Sequence, residues 1–203
     1  MTTVEIDTRF GPARAELHCA EEGAAVMLLG HGAGGGIGAK DIVAVTRAAH
    51  ESGVHVALVE QPYRVAGRKA PAPAKQLDEA WLTVADELEQ RWFDEMPLVF
   101  GGRSSGARVA CRTADEGGAV AVLCLAFPLR PPSRPDKSRQ TELDSVDLPT
   151  LVVQGERDPF GCPEPGKHHE VVVVDGTHAL DSDLDTVSHV VGDWLNRVLR
   201  PQV

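Results

Sequence analysis

Short apolar runs that fail to alternate constrain this chain most. Residues 24–29, 54–59, 98–100, 119–127, 150–153 and 171–174 are apolar along almost their whole length. A strand with one wet face would instead place a polar residue at every second position. Strands covered on both faces belong to a parallel sheet with helices above and below, and the segments between the runs supply those helices. Ile42, Val45 and Ala49 form one stripe within residues 41–52, which stops at Gly53, a residue suited to a helix C-terminus. Leu77, Trp81, Val84 and Leu88 form a second stripe, and Leu184, Val187, Val191, Trp194 and Val198 a third. The segment after Gly102 is rich in small residues (Ala107, Val109, Ala110, Cys111) and predicts a helix packed close to the sheet. Ahead of the first run, Val4, Ile6 and Phe10, then Ala13, Ala15, Leu17 and Cys19 after Gly11-Pro12, alternate as an antiparallel hairpin does. The expected fold is α/β: a mostly parallel sheet with an N-terminal antiparallel hairpin and helices on both faces.

A chain of 203 residues suits one core, so residues 1–203 read as a single domain. Segments 61–76 and 128–148 carry clustered prolines and read as ordered loops, too short and aperiodic for a cap domain. No apolar run approaches the roughly 20 residues of a membrane span. The N-terminus has neither a basic start nor an apolar stretch of signal length, so a cytoplasmic location is expected. A formal net charge of −10 argues against nucleic-acid binding, which needs a basic face. Cys19, Cys111, Cys124 and Cys162 are far apart with no Cys-x-x-Cys pair, and read as reduced core residues with no disulfide or zinc role. His168-His169 near Cys162 and Glu170 do not make a metal site, because adjacent residues on a strand face opposite ways.

The chemistry is concentrated in Leu98-Val99-Phe100-Gly101-Gly102-Arg103-Ser104-Ser105-Gly106. An apolar strand runs into Gly-x-Ser-x-Gly and then into a helix, the setting in which a strained turn presents a nucleophilic serine. Ser104 is centred between the glycines; Ser105 contributes its backbone N–H, which would face a developing oxyanion. The plainer alternative makes Ser104 a helix N-cap in a Gly-rich turn. Upstream, Gly30-His31-Gly32-Ala33-Gly34-Gly35 follows a strand and offers a second oxyanion N–H at Ala33, with His31 as a structural hydrogen-bonding residue. The same stretch satisfies Gly30-x-Gly32-x-x-Gly35, with Glu60 ending the next strand, so a nucleotide-binding turn is a rival reading.

A serine needs a base, and the base an orienting acid. Asp158 follows the run at 150–153 and His178 follows 171–174, so the chain order is Ser104, Asp158, His178. Glu156 and Asp175 are the other acids in reach by sequence. Arg64, Arg68 and Arg103 are candidate attractants for an anionic substrate.

Together these motifs resemble the dienelactone-hydrolase-like branch of the α/β hydrolases. The nearest likeness is to a small lid-poor family of bacterial predicted hydrolases, similar also to the hydrolase-like region of a subunit of the human NSL histone-acetyltransferase complex. The likeness rests on 30–35, Gly101-Gly102-Arg103-Ser104, Ala126-Phe127-Pro128-Leu129-Arg130-Pro131-Pro132, Gln154-Gly155-Glu156-Arg157-Asp158-Pro159-Phe160-Gly161 and Gly176-Thr177-His178. It implies an α/β-hydrolase fold without a cap domain, Ser104, Asp158 and His178 as nucleophile, acid and base, and Ala33 and Ser105 as the oxyanion hole. Relatives often carry a bulkier residue at the position of Ser105 and a glycine at that of Ala107. The implied activity is cleavage of a small ester, thioester or lactone, with no cofactor or metal. The partner would be a small-molecule ester-type substrate, and neither nucleic acid nor membrane. A non-catalytic interaction module on the same fold is the alternative from another class.

Overall fold

The computed structural model describes residues 1–131 and 133–200; Pro132, within the Pro131-Pro132 pair of the family likeness, lies outside them. The hairpin joins β1 (Thr2–Thr8) to β2 (Gly11–His18). Arg9 and Phe10 form the turn, Gly11 opens β2 at φ +104°, and the Thr8 hydroxyl donates to the Gly11 carbonyl at 2.6 Å. Ile6, Ala13, Ala15 and Leu17 turn inward as the alternation predicts. Phe10 sits in the turn itself, and Cys19 lies past the end of β2, where it is exposed.

The chain continues through β3 (Ala25–Gly30), α1 (Lys40–Glu51), β4 (Val54–Glu60), α2 (Pro62–Val65), α3 (Ala74–Trp92), β5 (Leu98–Arg103) and α4 (Ser105–Thr113). It ends through β6 (Ala119–Leu125), α5 (Gln140–Asp144), β7 (Thr150–Gly155), β8 (His169–Val174) and α6 (Leu184–Val198). All strands form one 8-stranded sheet in the order β1-β2-β4-β3-β5-β6-β7-β8. β2 lies antiparallel against β4, and from β4 onward every pairing is parallel. The chain leaves β3 toward β4 on one side, then crosses back to β5 on the other. That reversal opens a crevice beyond the carboxyl ends of β3 and β5, the place where open α/β sheets bind ligands.

The absence of alternation in the apolar runs has a direct cause. Along β3, Val26 and Leu28 face a core built with α3, α4 and α5, whereas Ala25, Met27 and Leu29 face a second core built with α1 and α6. The small residues of α4 allow the helix to lie against β5: a Cβ on Gly102 would stand 2.3 Å from the carbonyl carbon of Gly106. Two guanidinium forks tie the helices of that face together. Arg112 grips Asp78 of α3 at 2.8 and 2.6 Å, and Arg108 grips Glu142 of α5 at 2.8 and 2.7 Å. Besides the first residues of α3, the proline-bearing segments hold only α2 and α5 as helix, so the described residues contain no cap domain.

Cys111 and Cys124 are buried free thiols with their sulfurs 3.4 Å apart, as expected of core residues. Cys19 and Cys162 depart from that expectation: both are exposed, because neither belongs to a strand or helix. Among the described residues, no helix is long and apolar enough to cross a membrane.

Candidate active site

Ser104 stands between β5 and α4 with φ 53° and ψ −109°. A non-glycine residue in this region is strained by about 1–3 kcal/mol and persists only where its surroundings over-determine it. Here the Ser104 N–H donates to the Leu125 carbonyl at 2.8 Å, and both flanking glycines are dictated by contact. Gly102 is pressed against Gly106, and a Cβ on Gly106 would meet the Gly30 carbonyl group at 2.8 Å. The Ser104 side chain makes no cap hydrogen bond to α4, so it is not serving as an N-cap. Its Oγ lies 2.9 Å from His178 Nε2 instead.

The other imidazole nitrogen, Nδ1, is 2.8 Å from Asp158 Oδ2. The Asp158 side chain is fully enclosed, and its oxygens also accept from the Gln154 side-chain amide at 2.8 Å and from the Phe160 N–H at 2.8 Å. With acceptor oxygens on that side, the network assigns the proton to Nδ1 and leaves Nε2 free to accept from the serine hydroxyl. The Phe160 ring lies over the imidazole, 4.4 Å between centroids and tilted by 35°. Glu156 and Asp175, the rival acids, both turn to Arg157, at 3.3 and 2.7 Å.

Gln154 and Phe160 have roles that sequence reading missed. The available signals were a polar residue closing the buried strand β7, and an aromatic two residues beyond the candidate acid.

Ser105 opens α4, so its N–H has no intrahelical acceptor. The loop holding Ala33 is pinned on both sides of that residue. The Tyr63 hydroxyl donates to the Ala33 carbonyl at 2.9 Å, and His31 Nδ1 donates to the Gly32 carbonyl at 2.8 Å. A Cβ on Gly32 would stand 3.6 Å from the Ser104 Cβ, so the loop passes directly against the Ser104 turn.

His31 Nε2 accepts from the Gln61 N–H at 3.2 Å, which makes His31 a neutral bridge between the ends of β3 and β4. Burial lowers its pKa, against the pull of the Gly32 carbonyl. The folded protein therefore resists a proton that the unfolded chain takes up below about pH 6.5. Stability contributed by His31 is full above that pH and is lost as pH falls toward its lowered folded value. Denaturant unfolding between pH 8 and 5 is expected to show a shallower loss of stability in His31→Gln than in the wild type. An unchanged slope would contradict this role.

Arg103 is committed to structure. Its Nε donates to Asp41 at 2.9 Å and an Nη donates to the His178 carbonyl at 2.9 Å, joining α1, the Ser104 turn and the His178 loop. Burial pushes the Asp41 carboxyl above its usual range while Arg103 pulls it back. Arg103 is thus paired and not free for an anionic substrate. Arg64 turns to the Arg68 carbonyl, and Arg68 is exposed.

The glycine-rich turn does not feed a helix N-terminus as a dinucleotide site requires. Gly35 closes back on the Gly32 carbonyl at 3.3 Å, α1 begins only at Lys40, and Glu60 faces Arg14 at 3.6 Å. A cavity of about 550 Å³ lies elsewhere, between α1 and the hairpin. Its His18 is bonded to Glu16 and its Thr46 hydroxyl to the Ile42 carbonyl, which leaves no nucleophile and base in contact there.

Comparison with known proteins places the fold. A family model described as an alpha/beta hydrolase domain matches residues 23–182. A search of the curated proteins gives no match. Among solved structures, the chain is similar to Est1E from Butyrivibrio proteoclasticus (TM-score 0.80, 17% identity, 97% of this chain and 98% of that one). It is similar to XC6422 from Xanthomonas campestris, described as an α/β serine hydrolase without lid (TM-score 0.78, 20% identity, 100% and 96%). It is also similar to dienelactone hydrolase from Anabaena variabilis (TM-score 0.77, 16% identity, 98% and 98%). At these identities the solved structures speak to fold. The family model spans every residue from the Ala33 loop through Ser104 and Asp158 to His178, and the chain belongs to the alpha/beta hydrolase domain family.

Proposed function

We propose that the protein is a serine hydrolase that cleaves a small ester, thioester or lactone through an acyl-serine intermediate. The observation that carries this reading is the unbroken relay from Ser104 Oγ through His178 to Asp158, with steps of 2.9 and 2.8 Å. His178 Nε2 takes the hydroxyl proton as Oγ attacks the carbonyl carbon. The N–H groups of Ala33 and Ser105 receive the oxyanion, and the imidazolium is stabilised by the enclosed Asp158. His178 then returns its proton to the leaving oxygen or sulfur, the acyl group remains on Ser104, and water activated by His178 releases the acid. These steps call for no metal or organic cofactor.

The neighbours support the substrate class. Est1E has been solved with ferulic acid bound, and another neighbour is a dienelactone hydrolase. The strained backbone at Ser104 weighs against a purely non-catalytic module, since binding another protein gives no reason to retain that cost. A fluorophosphonate probe is expected to label the protein at Ser104, with labelling abolished in Ser104→Ala. Failure of the folded wild type to label would overturn the proposal.

A further inference from the structure

Beside Ser105, beneath the loop that holds Ala33, is a cavity of about 10 Å³ bordered by Gln61, Tyr63, Leu77, Trp81, Ser105 and Val109. Two of its lining side chains carry buried polar atoms without a hydrogen-bond partner among the described residues: Oε1 of Gln61 and Nε1 of Trp81. Gln61 is 7% exposed and Trp81 1%. The Gln61 amide has its orientation set by its neighbours. Its Nε2 donates to the Leu77 carbonyl at 3.1 Å, and a carbonyl only accepts, so Oε1 is directed away from Leu77. Trp81 Nε1 is a donor only. The residues around the cavity thus carry one unpaired acceptor and one unpaired donor, and buried polar atoms in folded proteins are otherwise paired.

The chemical group that satisfies an acceptor and a donor together in a space of one water-sized sphere is a hydroxyl. A methyl group would fit the volume and leave both atoms unmatched. The cavity is bordered by Ser105, the residue after the nucleophile and only half-buried. Its border on Ser105, next in sequence to Ser104, is the ground for testing a hydroxyl on the second or third carbon of an acyl group carried by Ser104.

We propose that this cavity binds one hydroxyl group, which donates to Gln61 Oε1 and accepts from Trp81 Nε1–H. Supplied by the substrate, that hydroxyl makes the protein selective for esters of short 2- or 3-hydroxy acids; supplied by the solvent, it is a resident water supporting the oxyanion loop. The substrate arm rests on the serine-hydrolase reading, and the binding site itself does not.

The test compares methyl glycolate, lactate and 3-hydroxybutyrate with methyl acetate, propionate and butyrate by pH-stat, alongside a ligand-free crystal structure of the wild type. A preference in kcat/KM of about tenfold or more for the hydroxy esters, collapsing toward unity in Trp81→Phe, supports the site with the hydroxyl supplied by substrate. No preference, with an ordered water in hydrogen-bond reach of both orphan atoms, supports the site with the hydroxyl supplied by solvent. A preference that survives Trp81→Phe, or no preference and no oxygen between the two atoms, overturns the proposal. If no ester of either series is hydrolysed, the serine-hydrolase reading fails, and the crystal structure alone decides the hydroxyl site.

Discussion

Ser104→Ala is expected to lower kcat on an activated ester by about 10⁴- to 10⁶-fold, with KM little changed. The magnitude follows from the relay: without Oγ there is no acyl-enzyme, and His178 keeps its pairing with Asp158 but has no hydroxyl to activate. The residual rate would come from water attacking a substrate held against the N–H groups of Ala33 and Ser105. The packing that imposes φ 53° at position 104 comes from Gly30, Gly102, Gly106 and Leu125, none of which the substitution touches. The variant should therefore unfold at a denaturant concentration close to that of the wild type. Near wild-type turnover in a variant shown by mass to lack the hydroxyl would remove Ser104 from the mechanism.

The second large effect concerns the acid. Asp158→Asn is expected to reduce kcat by about 10⁴-fold, whereas Glu156→Gln and Asp175→Asn should stay within about twofold of the wild type, as surface changes do. The carboxylate of Asp158 is met only by donors: His178 Nδ1–H, the Gln154 amide and the Phe160 N–H. An asparagine amide turned one way faces its NH₂ to His178 and Gln154. The imidazole then holds its proton on Nε2 and cannot accept from Ser104. Turned the other way, its NH₂ opposes the Phe160 N–H. Either orientation leaves a buried donor unmatched, so a loss of about 1–3 kcal/mol in stability should accompany the kinetic defect. Steady-state rates and unfolding curves on the three variants decide the matter. Equal defects at Glu156 or Asp175 would move the acid.

Much of the fold is visible in local patterns because its causes are local. A strand covered on both faces is apolar along nearly its whole length, so β3 to β7 announce themselves as apolar runs; β8, at the sheet edge, carries a valine run although Val173 is 52% exposed. The hairpin shows its one wet face by alternation. The glycines at 102 and 106 are equally legible, since a turn so tight between strand and helix admits no Cβ. Cys19 and Cys162 show where this reasoning stops. Composition places cysteine inside, but each lies where the chain has already left the sheet.

By itself the sequence determined the parallel sheet with its hairpin, the strand-to-helix turn centred on Ser104, and the order in which a serine, candidate acids and a histidine follow successive strands. Tertiary structure alone decided which acid meets the histidine. Glu156, Asp158 and Asp175 are interchangeable on paper, and only the docking of the β7 and β8 loops turns Asp158 inward while Arg157 holds the other two outside. It likewise committed Arg103 to Asp41 and the His178 carbonyl, and brought Gln154 and Phe160 against Asp158 and His178. The reason is physical: apolar period and steric demand at glycine act over a few residues. The direction of a loop side chain is also settled by distant partners, such as His178, 20 positions from Asp158, and Asp41, 62 from Arg103, which become neighbours only once the sheet has formed.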